Sequence, residues 1–179
     1  MKPLLWLAHA IDRINDGFAV LAKWAVLLAC LVSCLNAVVR YLFNLSSNGW
    51  LEIQWYLFAA CVMLGAAQVL RVNEHVRVDV MYGQLASRKK VWVDLLGLLL
   101  FLLPAMLTML YYAAPLFWKM FVSGEMSPNA GGLVRWPAML LLPLGFALVL
   151  LQGLAEIIKR IGWLTQRYEM DIHYARPLQ

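Results

Sequence analysis

The histidines are the first residues to consider, because histidine ligates metals and haem and transfers protons near neutral pH. His9, His75 and His173 all lie outside the long apolar segments of the chain. They therefore do not form the facing pair of ligands that a membrane-buried haem needs. His75 alternates with Arg77 and Asp79 between valines. Since an arginine in this triplet would repel a cation, we expect no metal site there.

The cysteines and carboxylates form no catalytic constellation either. Cys30, Cys34 and Cys61 fall within apolar runs, as small packing residues do. The sequence contains no Ser–His–Asp set, Gly-rich phosphate loop or Cys–His cluster. We therefore expect a protein that is not an enzyme and carries no cofactor or metal of its own.

The ionisable residues near the apolar segments are expected at their ends. Asp94 stands four residues after Lys90, and Glu156 precedes Lys159 and Arg160. These spacings predict ion pairs along a helix at the membrane interface. Ionisable groups in the middle of a span would instead indicate a transport or proton pathway, and the sequence has almost none.

The composition requires a membrane protein. Of the 179 residues, 63% are hydrophobic and 14% are charged, whereas soluble domains have about 45–50% apolar and about 25% charged residues. Each of four apolar runs is long enough to cross a hydrocarbon core of about 30 Å as a helix. We predict an all-α integral membrane protein, a single domain over residues 1–179, with spans at about 18–39, 50–70, 91–118 and 136–158.

The distribution of Lys and Arg predicts the orientation. With four spans, both termini and the middle loop lie on one side, and that side holds 12 of the 15 basic residues. The other side holds Arg40, Lys119 and Arg135. Because basic residues accumulate in cytoplasmic segments, we predict that both termini and the tail 159–179 are cytoplasmic.

Residues 1–17 have an amphipathic helical pattern. Leu4, Leu7, Ile11 and Ile14 recur at three- and four-residue steps, with polar residues mostly between them. This pattern predicts an interfacial helix along the cytoplasmic membrane surface. The alternative is that the first span simply continues into water.

The middle loop, residues 71–90, has a similar pattern and an excess of positive charge. We predict a short arm in the headgroup layer, where membrane lipids attract basic side chains. A solvated connector is the alternative. The candidate residues of the arm are Arg71, His75, Arg77, Asp79, Met81, Leu85, Arg88, Lys89 and Lys90.

Polar residues at the outer end of the first hairpin could meet each other. Asn36 and Arg40 share one face of the first helix, and Glu52 follows Trp50 at the start of the second. We consider an Arg40–Glu52 contact across this hairpin and, as the alternative, two unrelated interface charges.

The second span carries small residues that would allow another helix to approach closely. Gly65 and Ala66 are followed by Gln68 on the next turn. In lipid such surfaces promote helix association. The surface could serve a partner protein or only the internal bundle.

The region around residues 30–95 resembles the small membrane subunit of tripartite ATP-independent periplasmic (TRAP) transporters. The resemblance is carried by Asn36, the run Arg40-Tyr41-Leu42-Phe43-Asn44, Trp50, Glu52, Gly65-Ala66-Ala67, Arg71 and the run His75-Val76-Arg77-Val78-Asp79-Val80. In the second hairpin the likeness is architectural, and the loop from Phe121 to Arg135 matches no pattern of the family.

This resemblance implies a non-catalytic subunit in a bacterial inner membrane. In the family, a periplasmic binding protein captures an organic acid, and a large membrane subunit moves it with sodium by an elevator-like motion. The small subunit enlarges the fixed scaffold and helps to dock the binding protein, while sodium and substrate bind the large subunit. Candidate interface residues are Asn36, Arg40, Trp50, Glu52, Gly65, Ala66 and Gln68.

Two other classes remain open. A stand-alone four-helix exchanger would use Glu52 as its membrane carboxylate, although this residue stands at the start of a span. An accessory subunit of a membrane oxidoreductase is disfavoured by the missing histidine ligands.

Overall fold

A computed structural model describes residues 1–45, 47–72 and 85–169. Within these residues, four helices are long and apolar enough to cross a membrane: α1 (Lys2–Phe43), α2 (Asn48–Val72), α3 (Ser87–Ser123) and α4 (Trp136–Leu164). The prediction of an all-α protein with four membrane-spanning helices is confirmed. The side of the membrane on which the termini lie stays a prediction.

The N-terminal segment is helical and continuous with the first span. α1 begins next to Pro3, which suits a first helical turn because it lacks a backbone N–H. It ends at Phe43, and the C-cap residue Asn44 adopts the left-handed conformation at φ 52°. The helix has no boundary near residue 17, and the position of its N-terminal part along the membrane surface stays a prediction.

Helix α3 contains a π-helical turn at Leu98–Leu102, between α-helical segments Ser87–Gly97 and Leu103–Ser123. Pro104 lies two residues after the last residue of this turn. A proline inside a helix has no N–H to donate and its ring crowds the carbonyl four residues earlier. A locally wider turn relieves that crowding.

Helix α4 packs against each of the other three helices, whereas α3 packs mainly on α4. Small residues permit the close approaches, since α1 faces its neighbours with alanines at three- and four-residue steps. One core cluster joins Ala22 of α1, Leu64 and Ala67 of α2, and Leu148 of α4. Gly145 of α4 lies against Met63 of α2, and a Cβ there would be 2.7 Å from the Met63 Cβ.

The outer surface of the bundle is apolar, as a lipid-facing surface is. Trp24, Leu100 and Phe101 are among its large exposed side chains. Polar side chains are concentrated at the two ends of the bundle. We call the end with the N-terminus and the C-terminal part of α4 the terminal end, and the opposite end the loop end.

Candidate functional site: polar sites at the two ends of the bundle

The terminal end contains a buried polar network centred on α4. Gln152, Glu156, Lys159 and Arg160 lie at three- and four-residue steps on one side of this helix. All four are buried, with Gln152 fully buried and the others 5–6% exposed. Ionised side chains are this deeply buried only when they are paired.

Glu156 accepts hydrogen bonds from three of its helical neighbours. The Lys159 Nζ lies 2.9 Å from Glu156 Oε1, and the Arg160 Nη1 lies 2.5 Å from Oε2. The Gln152 Nε2 donates to Oε1 over 3.2 Å. Both oxygens of this buried carboxylate are therefore engaged.

The same side chains of α4 connect to α1. The Lys159 Nζ lies 2.7 Å from Asp12 Oδ1, which also accepts from Gln152 Nε2 over 2.9 Å. Asn15 Nδ2 donates to Gln152 Oε1 over 2.6 Å. These bonds join the predicted interfacial segment of α1 to the second half of α4.

Helices α2 and α3 are joined at the same end. The Arg71 Nη1 of α2 lies 2.5 Å from Asp16 Oδ1 and 3.2 Å from the Asp12 carbonyl oxygen of α1. The Arg160 Nη2 lies 3.4 Å from Asp94 Oδ2 of α3. Polar contacts at the terminal end thus link all four helices. We call the whole set the terminal network: Asp12, Asn15, Asp16, Arg71, Asp94, Gln152, Glu156, Lys159 and Arg160.

This arrangement stabilises helix packing and offers little to a reaction. Each carboxylate of the network has a cationic neighbour, so none is an isolated acid or base. Two buried atoms, Asn15 Oδ1 and Arg160 Nε, have no hydrogen-bond partner among the residues that the structure describes.

The sequence reasoning partly missed this network. The pairs of Glu156 with Lys159 and Arg160 form as their spacing predicts, but they are buried and not at a solvated interface. Lys159 and Arg160 lie within α4, which continues to Leu164. One signal was available, because Asp12, Asn15 and Asp16 form a polar face that matches the polar face of α4.

The loop end contains a different polar site, built around Glu52. This residue lies in the first turns of α2 and is 3% exposed. Its Oε1 accepts from the Ser127 hydroxyl and from Asn129 Nδ2, the latter over 2.8 Å, and its Oε2 accepts from the Leu133 backbone N–H over 2.7 Å. All three donors are neutral and belong to the loop between α3 and α4. We call Glu52 with these donors the Glu52 site.

Further contacts hold the same loop against α2. Asn48 Nδ2 donates to the Ala130 carbonyl over 3.0 Å, and the Tyr56 hydroxyl donates to the Val134 carbonyl over 3.3 Å. Gly49 lies so close to the loop that a Cβ there would be 3.3 Å from the Gly131 carbonyl oxygen. Within the loop, Met126 and Val134 form an antiparallel bridge. Residues 124–135 therefore form an ordered structure, although their composition matched no pattern.

The Arg40–Glu52 contact that we considered is wrong. Arg40 is exposed, and among the described residues Glu52 accepts its hydrogen bonds from Ser127, Asn129 and Leu133 and not from Arg40. The alternative, two unrelated interface charges, did not include the contacts that Glu52 makes with the loop between α3 and α4. The donors are 75–81 positions further along the chain, which is why local spacing could not reveal them.

The other interface candidates are placed on α1 and α2. Gly65 faces α1, where a Cβ would be 3.6 Å from the Ala22 Cβ, so it serves the internal bundle. Asn36, Ala66 and Gln68 are half-buried, and Trp50 is 44% exposed. Their role in contacts with a partner stays a prediction.

The predicted arm falls mostly outside the described residues, since His75, Arg77, Asp79 and Met81 belong to residues 73–84. Of the rest, Arg71 belongs to the terminal network, Leu85 precedes α3, and Arg88, Lys89 and Lys90 lie in the first turns of α3. Across the part of the chain that the structure describes, no three His, Cys, Asp or Glu residues are grouped so that they could hold a metal ion.

Four helices that are long and apolar enough to cross a membrane define a multi-pass membrane protein. The chain matches the family of tripartite ATP-independent periplasmic transporters, DctQ component, over residues 29–162. Because this match covers most of the chain, the protein belongs to this family and is the small component of a TRAP transporter. The resemblance seen in the sequence is confirmed. Comparisons with curated proteins and with solved structures gave no match.

Proposed function

We propose that this chain is the non-catalytic small subunit of a sodium-coupled TRAP transporter for organic acids in a bacterial inner membrane. It forms part of the fixed scaffold against which a large elevator-type subunit moves, and it helps to dock the periplasmic binding protein. Sodium and substrate bind the large subunit.

The observation that carries this proposal is the terminal network. A scaffold must keep its shape while another subunit moves along it. Breaking a buried ion pair by removing one partner costs about 3–5 kcal/mol, because the other charge is left buried and uncompensated. Polar contacts that join all four helices therefore oppose relative motion of the helices at that end.

The carboxylates also favour a scaffold over a stand-alone exchanger. An exchanger needs a membrane carboxylate that binds and releases its cargo from both sides of the membrane. Glu52 is buried at the start of α2 and accepts three hydrogen bonds from one loop. Glu156 is equally engaged within the terminal network.

Reconstitution tests the proposal. Proteoliposomes are prepared with this chain alone, with the large subunit alone, and with both, each in the presence of the binding protein and a sodium gradient. We expect organic-acid uptake only when both subunits are present. Uptake by this chain alone would contradict the scaffold function and support the exchanger.

The orientation is tested separately with two matched serine substitutions. Ser123→Cys lies at the loop end and Ser87→Cys at the terminal end. A membrane-impermeant thiol reagent added from the periplasm should label the first and not the second. The reverse result would place the termini outside and would contradict the docking role.

A further inference from the structure

The loop of residues 124–135 is held more firmly than a connector requires. Helix–helix connections in bundles usually have about 2–8 residues, and this loop is longer and contains three glycines. Such a sequence loses considerable conformational entropy when it is ordered. Here it is ordered by the Glu52 site and by the contacts of Asn48 and Tyr56.

The loop is held by the buried carboxylate of Glu52, and none of the hydrogen-bond donors to this carboxylate is a cation. Burying a carboxylate is costly unless it is hydrogen-bonded. The three donors to Glu52 are two side chains and one backbone N–H of the loop. The donors lie at three points of the loop, at Ser127, Asn129 and Leu133. The carboxylate thus sets the shape of the whole loop and not only of one turn.

The outward side of the loop has little net charge and carries apolar groups. Met126 is 60% exposed, and Pro128 and Ala130 are also exposed. The two charged residues of the loop neutralise each other, since Arg135 Nη1 lies 2.6 Å from Glu125 Oε1. A surface of this kind does not attract an anionic lipid headgroup. It fits a protein surface of mixed polar and apolar character.

We propose that the loop 124–135, held in shape by Glu52, is the surface on which the soluble binding protein of the transporter docks. This inference rests on the proposed function and names the surface that performs its docking role. The loop lies at the loop end, opposite the terminal end, and the distribution of Lys and Arg in the sequence predicts that this side is periplasmic. A loop that is already ordered loses less entropy when a partner binds it.

The near-neutral surface has a measurable consequence. Association driven by opposite charges weakens as salt is added, because the charges are screened. Docking on this loop should therefore depend only weakly on ionic strength.

The test uses the complex of this chain with the large subunit in lipid nanodiscs. The Kd of the substrate-loaded binding protein is measured at low and at high salt. Met126→Asp combined with Ala130→Asp adds charge to the exposed side of the loop without removing a side-chain hydrogen bond. We expect the Kd to rise at least about tenfold, as for central interface residues.

Leu45→Asp is the matched control, because Leu45 is an exposed apolar residue at the same end of the bundle but outside the loop. In the complex that carries this control variant, the Kd of the binding protein should change less than about twofold.

A second variant tests the role of Glu52 as a positioning residue. Glu52→Gln keeps the size of the side chain but replaces one acceptor oxygen by an amide N–H₂ group. This group is itself a donor, so it cannot accept a hydrogen bond from the donors of the loop. Hydrogen exchange of the amides in residues 124–135 should accelerate, and the Kd should rise in parallel. A faster exchange with an unchanged Kd would show that the order of the loop does not serve docking.

Three further outcomes would overturn the inference. An unchanged Kd in the double variant would exclude this surface, and a strong salt dependence would point to a charged one. Loss of copurification with the large subunit in the double variant would assign the loop to that contact instead. The proposed function fails by a different result, namely if the wild-type chain neither copurifies with the large subunit nor is needed for uptake.

Discussion

The terminal end joins charged side chains of both signs from four helices, whereas the loop end surrounds one carboxylate with neutral donors from a single loop. At the terminal end, Glu156 and Asp12 share the cation of Lys159. At the loop end, Glu52 binds Ser127, Asn129 and the Leu133 N–H. Both sites bury carboxylates, but their partners differ in charge and in origin.

This difference separates two structural tasks. Buried ion pairs between helices are strongly coupled, so removing one member leaves the others uncompensated and affects the packing of the whole bundle. The hydrogen bonds from one loop to the Glu52 carboxylate are charge-assisted, but they involve no second charge and act locally. We therefore expect global effects from changes at the terminal end and local effects from changes at the loop end.

The largest effect is expected from Glu156→Ala. The substitution removes the nearest carboxylate of Arg160 and one of the two carboxylate partners of Lys159, and both cations are only 6% exposed. The free energy of unfolding should fall by about 3–5 kcal/mol, measured by thermal or denaturant unfolding in detergent. Glu156→Gln keeps the size and one acceptor oxygen and should cost less. An unchanged stability of the alanine variant would mean that the network charges are not coupled.

The next effect is local and comes from Glu52→Ala. Loss of the carboxylate removes the acceptor of three loop donors, so amides in residues 124–135 should exchange about tenfold faster. Amides of α4 near Glu156 should be unaffected, as followed by hydrogen-exchange mass spectrometry. Glu125→Gln is the control in the same loop, because it removes a half-exposed ion pair with Arg135 and leaves the Glu52 site intact. Faster exchange throughout the bundle would remove the distinction between the two ends.

A smaller effect is expected at the edge of the terminal network. Arg71 and Asp16 lie 2.5 Å apart, but their side chains are 31% and 46% exposed. Exposed pairs contribute about 0.2–1 kcal/mol and are screened by salt. A double-mutant cycle with Arg71→Gln and Asp16→Asn should give a coupling energy in this range that decreases at high salt. A larger coupling, independent of salt, would show that this pair belongs to the buried part of the network.

The smallest effect is expected from Arg40→Gln. Arg40 is exposed and makes no ion pair with Glu52, so the stability of the purified chain should change by less than about 0.5 kcal/mol. Exchange of the loop 124–135 should also stay the same. Faster hydrogen exchange of this loop in the Arg40→Gln variant would indicate that Arg40 does contact Glu52, in contradiction to the structure.

The fold was largely predictable from the sequence, while the two polar sites were only partly so. Each apolar run lies within one of the four helices, because a hydrocarbon core requires long apolar helices whatever their neighbours are. The pairs of Glu156 with Lys159 and Arg160 were also predictable, since three- and four-residue spacing makes them neighbours on any helix. Their burial was not, because it depends on which side of α4 meets α1.

The amino-acid sequence by itself determined the number of spans, the apolar outer surface, the charge asymmetry and the family, because these depend on composition and local order. Only the tertiary structure decided that Asp12 meets Lys159 and that Glu52 meets the loop before α4. These partners are 147 and 75–81 positions apart, and no local rule selects one distant donor over another. The selection is made by helix packing, because close approaches such as Gly145 against Met63 set which helix faces meet.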